Sequence, residues 1–289
     1  MFADQRVHPL DGGAVMAEMG PMRLQISSFV GKVPQREMNL RAAEEAFGCL
    51  ERVARLKETL RKPLYARSPA PADPVALKMV ESVQATGDPD LTPMAAVAGT
   101  IADGVADFLF SRGMTKVIVN NGGDIAVRLV APNSVRVGLR EKVESQDFRK
   151  VVLLAPSPEN ESATFGIATS GLGGRSLTRG IASAVTVIAK TASKADAAAT
   201  AVANASFVDC PSVVRQPAET VDPQTDIQGL PVTARVRDLD RETRKLALAR
   251  ALARAQDLIV RHNILGAMVV VDGESGMTPF FENHLVPTS

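Results

Sequence analysis

Asp196 and Thr200 stand four residues apart in the run Ser193-Lys-Ala-Asp-Ala-Ala-Ala-Thr-Ala-Val-Ala-Asn204. The run reads as an Ala-rich helix with Ser193 as N-cap, so the two side chains share one face. Only alanines separate them, which leaves the carboxylate and hydroxyl oxygens accessible. Hard oxygen donors of this kind suit Mg²⁺, a cation that keeps several waters and recruits phosphate oxygens. The same pair also arises from an Asp favoured by the dipole in a first helical turn and a Thr bonding back to a carbonyl.

Two further segments could hold a phosphate-bearing ligand. Ala168-Thr-Ser-Gly-Leu-Gly-Gly-Arg-Ser-Leu-Thr178 is rich in glycine and hydroxyls and carries one cation. Gly171, Gly173 and Gly174 can expose N–H groups to phosphate oxygens, Thr169, Ser170 and Ser176 add hydroxyls, and Arg175 supplies charge. The Gly-Lys-Ser/Thr ending of a Walker loop is missing, and a surface hairpin is the alternative. In Asn120-Asn-Gly-Gly-Asp-Ile125, Gly122 and Gly123 are residues of a tight hairpin turn. The functional reading lays a ligand against that glycine backbone, with Asn120 or Asp124 bonding it. Arg241, Arg244, Lys245, Arg250, Arg254 and Arg261 mark a basic helix, but interspersed acids make it a solvated amphipathic face. Cys49 and Cys210 have no local His partner and read as ordinary thiols.

The elements that must position these residues follow from periodicity. Residues 1–20, rich in Gly, Met and Asp, predict a loose N-terminal segment, and 21–289 a single domain. Met22–Val30 alternates as a strand, and Asn39 to about Leu60 repeats at helical spacing. Asp73 caps a helix opening at Pro74. Pro93 opens a small-residue helix reaching about Arg112, closed by Gly113. Strands are predicted at 116–120, 125–130, 134–139, 150–155, 165–168, 184–189 and 266–272, with a helix over 240–260. Residues 210–232 read as a connector or an ordered loop. Short strands separated by turns and flanked by helices, without strict βαβ alternation, predict an α+β fold with antiparallel sheet.

Composition narrows the function classes. The 289 residues include 33 Lys+Arg against 32 Asp+Glu, for a formal net charge of +1, and 45% are hydrophobic. This balance, with no Trp and one Tyr, argues against nucleic-acid binding. Two cysteines and three scattered histidines give no support to a disulfide framework or a His-built zinc site. The N-terminus lacks a secretory pattern, and no stretch approaches the roughly 18 to 20 uncharged apolar residues of a membrane helix. The expectation is a cytoplasmic protein without a membrane partner; homo-oligomerisation is left open.

Pro93-Met-Ala-Ala-Val-Ala-Gly-Thr-Ile-Ala102, Val119-Asn-Asn-Gly-Gly-Asp-Ile125, Ile167-Ala-Thr-Ser-Gly171 and Ala195-Asp-Ala-Ala-Ala-Thr-Ala201, in this order and separation, resemble a branch of the ApbE-like superfamily. Its named members are FAD:protein FMN transferases. The resemblance spans roughly residues 20 to 275 and implies an α+β fold of two related antiparallel-sheet halves with helices on one face. It implies Asp196 and Thr200 as Mg²⁺ ligands, with Ala96 as the backbone carbonyl donor. It further implies FAD or FMN as ligand and an acceptor protein whose Thr hydroxyl receives FMN as AMP leaves. The chain departs from the transferases in two places. Their His-x-x-Asp-Pro segment is replaced by Gly173–Gly180 without His, and a Lys-Gly pair is replaced near Gly99-Thr100. No catalytic residue is assigned. The leading expectation is an ApbE-like pocket for a phosphate-bearing small molecule. An active divergent FMN transferase and a non-catalytic binding or assembly protein are the alternatives.

Overall fold

The computed structural model describes residues 4–63, 71–139, 150–174 and 176–287. Its first half runs β1 (Gln5–Pro9), β2 (Val15–Met19), β3 (Met22–Val30), β4 (Val33–Pro34), α1 (Arg36–Arg55), α2 (Lys57–Leu60), α3 (Pro74–Thr86), α4 (Val97–Phe110), β5 (Lys116–Asn121) and β6 (Asp124–Val130). Strands β7 (Val135–Leu139) and β8 (Lys150–Leu154) intervene. The second half runs β9 (Ser162–Ser170), β10 (Ala184–Ala189), α5 (Ala192–Ala205), β11 (Val213–Pro217), α6 (Ala218–Val221), β12 (Pro231–Val236) and α7 (Arg241–Val260). It closes with β13 (Gly266–Val271), β14 (Glu274–Met277), α8 (Pro279–His284) and β15 (Leu285–Val286).

The main sheet is antiparallel, in the order β1-β2-β3-β5-β6-β9-β10-β13-β14, with β4 added on β3. The two halves repeat one plan, hairpin, helices, hairpin: β2–β3 to β5–β6, then β9–β10 to β13–β14. They join where β6 pairs with β9. The fold is therefore α+β, built from two related antiparallel halves.

Alternation along the central strands feeds both faces of the sheet. Leu24, Ile26, Val117 and Val119 pack beneath α1, α3 and α4. Val185, Val187, Val269 and Val271 pack beneath α5 and α7. On the opposite face, Val127, Ile167, Ile188 and Met268 meet Val152 and Leu154 of the small sheet β15-β8-β7 and Phe281 of α8. Burial on both faces explains why every residue of β10 and β13 is buried. Helix α5 belongs to both helical cores, Ala197 and Ala201 facing one and Ala198 and Val202 the other. Alanine allows that close approach on several sides.

Several boundaries differ from the sequence reading. Residues expected to form a loose start instead supply β1 and β2, because β2 pairs with the strongly alternating β3 and buries Val15, Ala17 and Met19. The helix expected from Asn39 to Leu60 begins at Arg36 and breaks at Leu56. Pro93–Ala96 is a single 3₁₀ turn before α4. The predicted connector contains β11 and α6, and β11 pairs with β12. Asp73 does cap α3, accepting from the Val75 and Ala76 N–H groups at 2.9 and 3.2 Å. Ser193 is not the N-cap of α5: Thr191 takes that place, its hydroxyl accepting from the Lys194 N–H at 3.4 Å. Among the described residues, Pro93–Phe110 has the length and hydropathy of a membrane span, yet 56% of it is buried inside the protein. It is the central helix of the first half.

Candidate functional site

A cavity of about 1130 Å³ opens where the β5–β6 turn and the end of β9 meet the N-terminal turn of α4 and the Asp196–Thr200 face of α5. Ile118, Ile125, Val127 and Ile167 form its sheet wall, and Val135, Val137 and Leu139 of β7 face them. Asn120, Gly122, Gly123, Asp124, Thr169, Ser170, Gly173, Gly174, Ser176, Asp196 and Thr200 all line it. Three segments separated by up to 80 residues in sequence thus converge as one surface. Ala96 and Gly171 do not line the cavity; Ala96 is fully buried between lining residues Ala95 and Val97. Arg175 lies outside the described residues.

The β5–β6 connection is a two-residue turn with Gly122 and Gly123 at φ 66° and 115°, a region that favours glycine. Asn120 Oδ1 accepts from the Gly123 N–H at 2.8 Å, while Asn121 Nδ2 donates to the Ala98 carbonyl at 3.2 Å. Asn120 therefore spends its carbonyl oxygen on the turn.

The glycine segment after β9 is folded against itself and against the start of β10. Gly173 N–H donates to the Ser183 carbonyl at 3.1 Å, and Gly174 N–H to the Gly171 carbonyl at 3.0 Å. These donors are spent internally, so the expectation that Gly173 and Gly174 cradle phosphate through their N–H groups is corrected. Hydroxyls remain. Thr169 and Thr186, opposite one another on β9 and β10, share a 2.9 Å hydrogen bond at the cavity wall. Ser170 Oγ is buried and has no hydrogen-bond partner.

Helices α4 and α5 cap each other. Asp196 of α5 accepts from the Gly99 N–H of α4 at 2.9 Å, and the Ala98 N–H also supports its carboxylate. Asp103 of α4 accepts in return from the Ala192 and Ser193 N–H groups of α5, both at 3.0 Å. The helix starts approach so closely that a Cβ on Gly99 would overlap the Ala192 carbonyl. Asp103 is fully buried. Burial raises its pKa, but Lys78, Arg128 and the two N–H donors outweigh that and hold it below the ordinary carboxylate value. The Asp196 carboxyl behaves oppositely. Burial, then the neighbouring Asp124 charge, push it well above the ordinary value, against the pull of the Gly99 and Ala98 N–H groups.

Asp196, Asp124 and Thr200 are thus hard oxygen groups sharing one cavity, with Asp196 at the positive N-terminal end of α4. Thr200 Oγ1 donates weakly to the Asp196 carbonyl at 3.3 Å, leaving its lone pairs available. Among the described residues no cluster of three His, Cys, Asp or Glu side chains could hold a metal by itself. Asp103, Arg128 and Thr186 were missed from sequence. A charged residue inside the apolar Pro93–Phe110 run and another inside Ile125–Val130 were the available signals.

A family profile described as AbpE bacteria matches residues 6–277. A UPF0280 protein of Methanoregula boonei is 34% identical over 166 residues, 56% of this chain and 66% of that protein. A UPF0280 protein of Methanopyrus kandleri is 41% identical over 124 residues, 43% of this chain and 47% of that protein. The chain thus matches about half to two thirds of the length of these curated relatives. The apo crystal structure of the Pseudomonas stutzeri flavinyl transferase ApbE superposes with TM-score 0.53 at 15% identity, covering 98% of both chains. The ApbE protein of Thermotoga maritima superposes with TM-score 0.52 at 12% identity, covering 97% of this chain and 99% of that one. At these identities the likeness is one of fold.

Proposed function

The chain belongs to the AbpE bacteria family, and on that premise we propose that its cavity binds a flavin nucleotide, FAD or FMN, together with Mg²⁺. The observation that carries the reading is the Asp196 carboxyl, held at the cavity against Asp124 and beside Thr200, with its pKa driven well upward. Burial and the Asp124 charge both disfavour the ionised form of Asp196, and a divalent cation is a partner that would hold its carboxylate ionised. The donor set fits Mg²⁺, which when bound supplies Lewis-acid charge beside phosphate oxygens. The Ala96 carbonyl, implied as a third ligand by resemblance, belongs to the 3₁₀ turn between the lining residues Ala95 and Val97.

The chain's own residues divide the remaining work. Ile118, Ile125, Ile167, Val137 and Leu139 offer aliphatic surface that packs against a flat ring and excludes water. Ser170, with its unpartnered hydroxyl, gains a hydrogen bond when a polar ligand atom arrives. The Thr169–Thr186 pair presents a second hydroxyl edge. Among the described lining residues there is no His, and Asp196, with its raised pKa, is a group that can hold a proton.

Transfer of FMN to an acceptor protein is the second reading, favoured by the shared fold with the Pseudomonas stutzeri flavinyl transferase. A binding or assembly role without transfer is the third. Flavin fluorescence titration with and without Mg²⁺ tests the first. Mg²⁺-dependent quenching by wild-type protein, lost in Asp196→Asn and Thr200→Val, is expected. Absence of binding in both conditions would overturn the flavin reading. AMP release from FAD, followed chromatographically, separates transfer from binding alone.

A further inference from the structure

The cavity wall formed by β7 offers backbone as well as side chains. The small sheet runs β15-β8-β7 and ends there: among the described residues no strand pairs with the other edge of β7, and no loop backbone group bonds to Val135–Leu139. In an antiparallel strand alternate residues turn their N–H and C=O groups toward the paired neighbour, and the others turn theirs away. β7 therefore carries unspent donors and acceptors along its free edge. All five of its residues line the cavity, including Gly138, which has only backbone to present.

The side chains of β7 are committed elsewhere. Val135 and Val137 pack on the core between the two sheets, and Leu139 is buried within it. Arg136 is exposed, and its Nη2 donates to the Pro287 carbonyl at 2.6 Å. Pro287 follows β15, which lies on the far side of β8, so the Arg136 side chain leans away from the free edge. The edge is thus bare, and it opens into the cavity where a fourth strand would lie, about 4.8 Å beyond β7. A flat ring in that place rests one face on Ile125 and Ile167 of the main sheet and turns its rim to β7.

We propose that the free edge of β7 reads the polar rim of the cavity's ligand, which restricts the ligand class to flat heterocycles carrying an N–H donor beside a carbonyl or ring-nitrogen acceptor. The pyrimidine ring of a flavin and the amino edge of an adenine both carry this pair. An outward C=O of β7 accepts from the ring N–H, and an outward N–H of β7 donates to the ring acceptor, at about 2.9 Å. Once a ring excludes water from the edge, its backbone groups need such partners. The inference rests on the reading that a flat ring occupies the cavity, and adds which atoms select it.

The test compares FMN with 3-methyl-FMN, and AMP with N6,N6-dimethyl-AMP, each with Mg²⁺ and wild-type protein. Within each pair the phosphate is the same and only the ring N–H is lost. Fluorescence titration reads the flavins, calorimetry the purines, and amide hydrogen exchange reads β7. For a flavin edge, 3-methyl-FMN should bind about tenfold more weakly than FMN, and FMN should slow exchange within Val135–Leu139. For an adenine edge, the same loss and the same protection should appear in the AMP pair. Methylated analogues that bind as tightly as their parents overturn the proposal, as does a bound parent that leaves exchange of β7 unchanged. FMN binding indifferent to N3 methylation would sink this inference and leave the flavin reading standing. Failure of FMN beside donor-dependent AMP binding would do the reverse, and failure of all four would overturn both.

Discussion

Deleting the Asp103 carboxylate tests the mutual capping of α4 and α5 on which the site stands. Asp103 accepts from two N–H groups at the head of α5 and from Arg128 Nη2 at 2.9 Å, with Lys78 Nζ at 3.3 Å. Asp103→Ala leaves Arg128, whose side chain is 3% exposed, with Asp107, itself 55% exposed, as its remaining acid. Removing one partner of a buried ion pair costs roughly 3–5 kcal/mol. The stranded N–H groups would add about 1–3 kcal/mol each if independent. Because these costs overlap, the expected total is about 4–6 kcal/mol. Asp103→Asn keeps one acceptor and should cost about half as much, on the order of 2–3 kcal/mol. Urea unfolding at neutral pH measures both. In thermal scans the alanine variant should melt roughly 7–10 °C lower.

The pH dependence gives a second check. The folded pKa of Asp103 lies below its unfolded value, so its stabilisation is complete above the unfolded pKa of about 3.9. It is lost as pH falls through the folded value. Wild-type stability should decline from about pH 5 downward, and the decline should be shallower in Asp103→Asn. An Asp103→Ala variant within about 1 kcal/mol of wild type, with an unchanged acid slope, would refute the reasoning.

Other outcomes follow from the same contacts. Asp196→Asn should raise the ligand-free melting temperature at neutral pH, because it removes a charge whose folded pKa is raised while keeping an acceptor for Gly99; the same variant should lose any stabilisation by Mg²⁺, read by differential scanning fluorimetry. Ser170→Ala should leave ligand-free stability within about 1 kcal/mol of wild type, since the hydroxyl has no partner, yet weaken flavin binding in the fluorescence titration. Gly166→Ala should lose roughly 3 kcal/mol or more, because its Cβ would overlap the Thr191–Ala192 peptide at the start of α5; urea unfolding would show it. Asp73→Ala should cost about 1 kcal/mol as a lost helix cap, measured the same way and leaving ligand binding intact.

Much of this site could be read along the chain because its parts are short local patterns. The Asp-Ala-Ala-Ala-Thr spacing places Asp196 and Thr200 on one face of any helix they form, and Gly122-Gly123 suits a turn wherever the hairpin lies. Their convergence on a single cavity depended on the strand order, with β6 bringing the Gly-Gly turn beside β9. The glycine run after β9 misled because composition reports which N–H groups exist but not which carbonyls consume them. Residues 5–19 were illegible for a related reason: β1 is exposed along its whole length and is a strand only through pairing with β2.

What the sequence by itself determined, then, was the α+β class, most of the helices and strands, and the hydroxyl, glycine and carboxylate residues around the cavity. These follow from periodicity and backbone preference, which act over a few residues. Tertiary structure alone decided that Asp196 and Asp103 exchange helix caps and that Gly173 and Gly174 have no N–H to offer. The exchanged caps join groups about 90 or more residues apart, and the glycine donors are spent on carbonyls that composition does not reveal; burial and such meetings set the electrostatics of the interior.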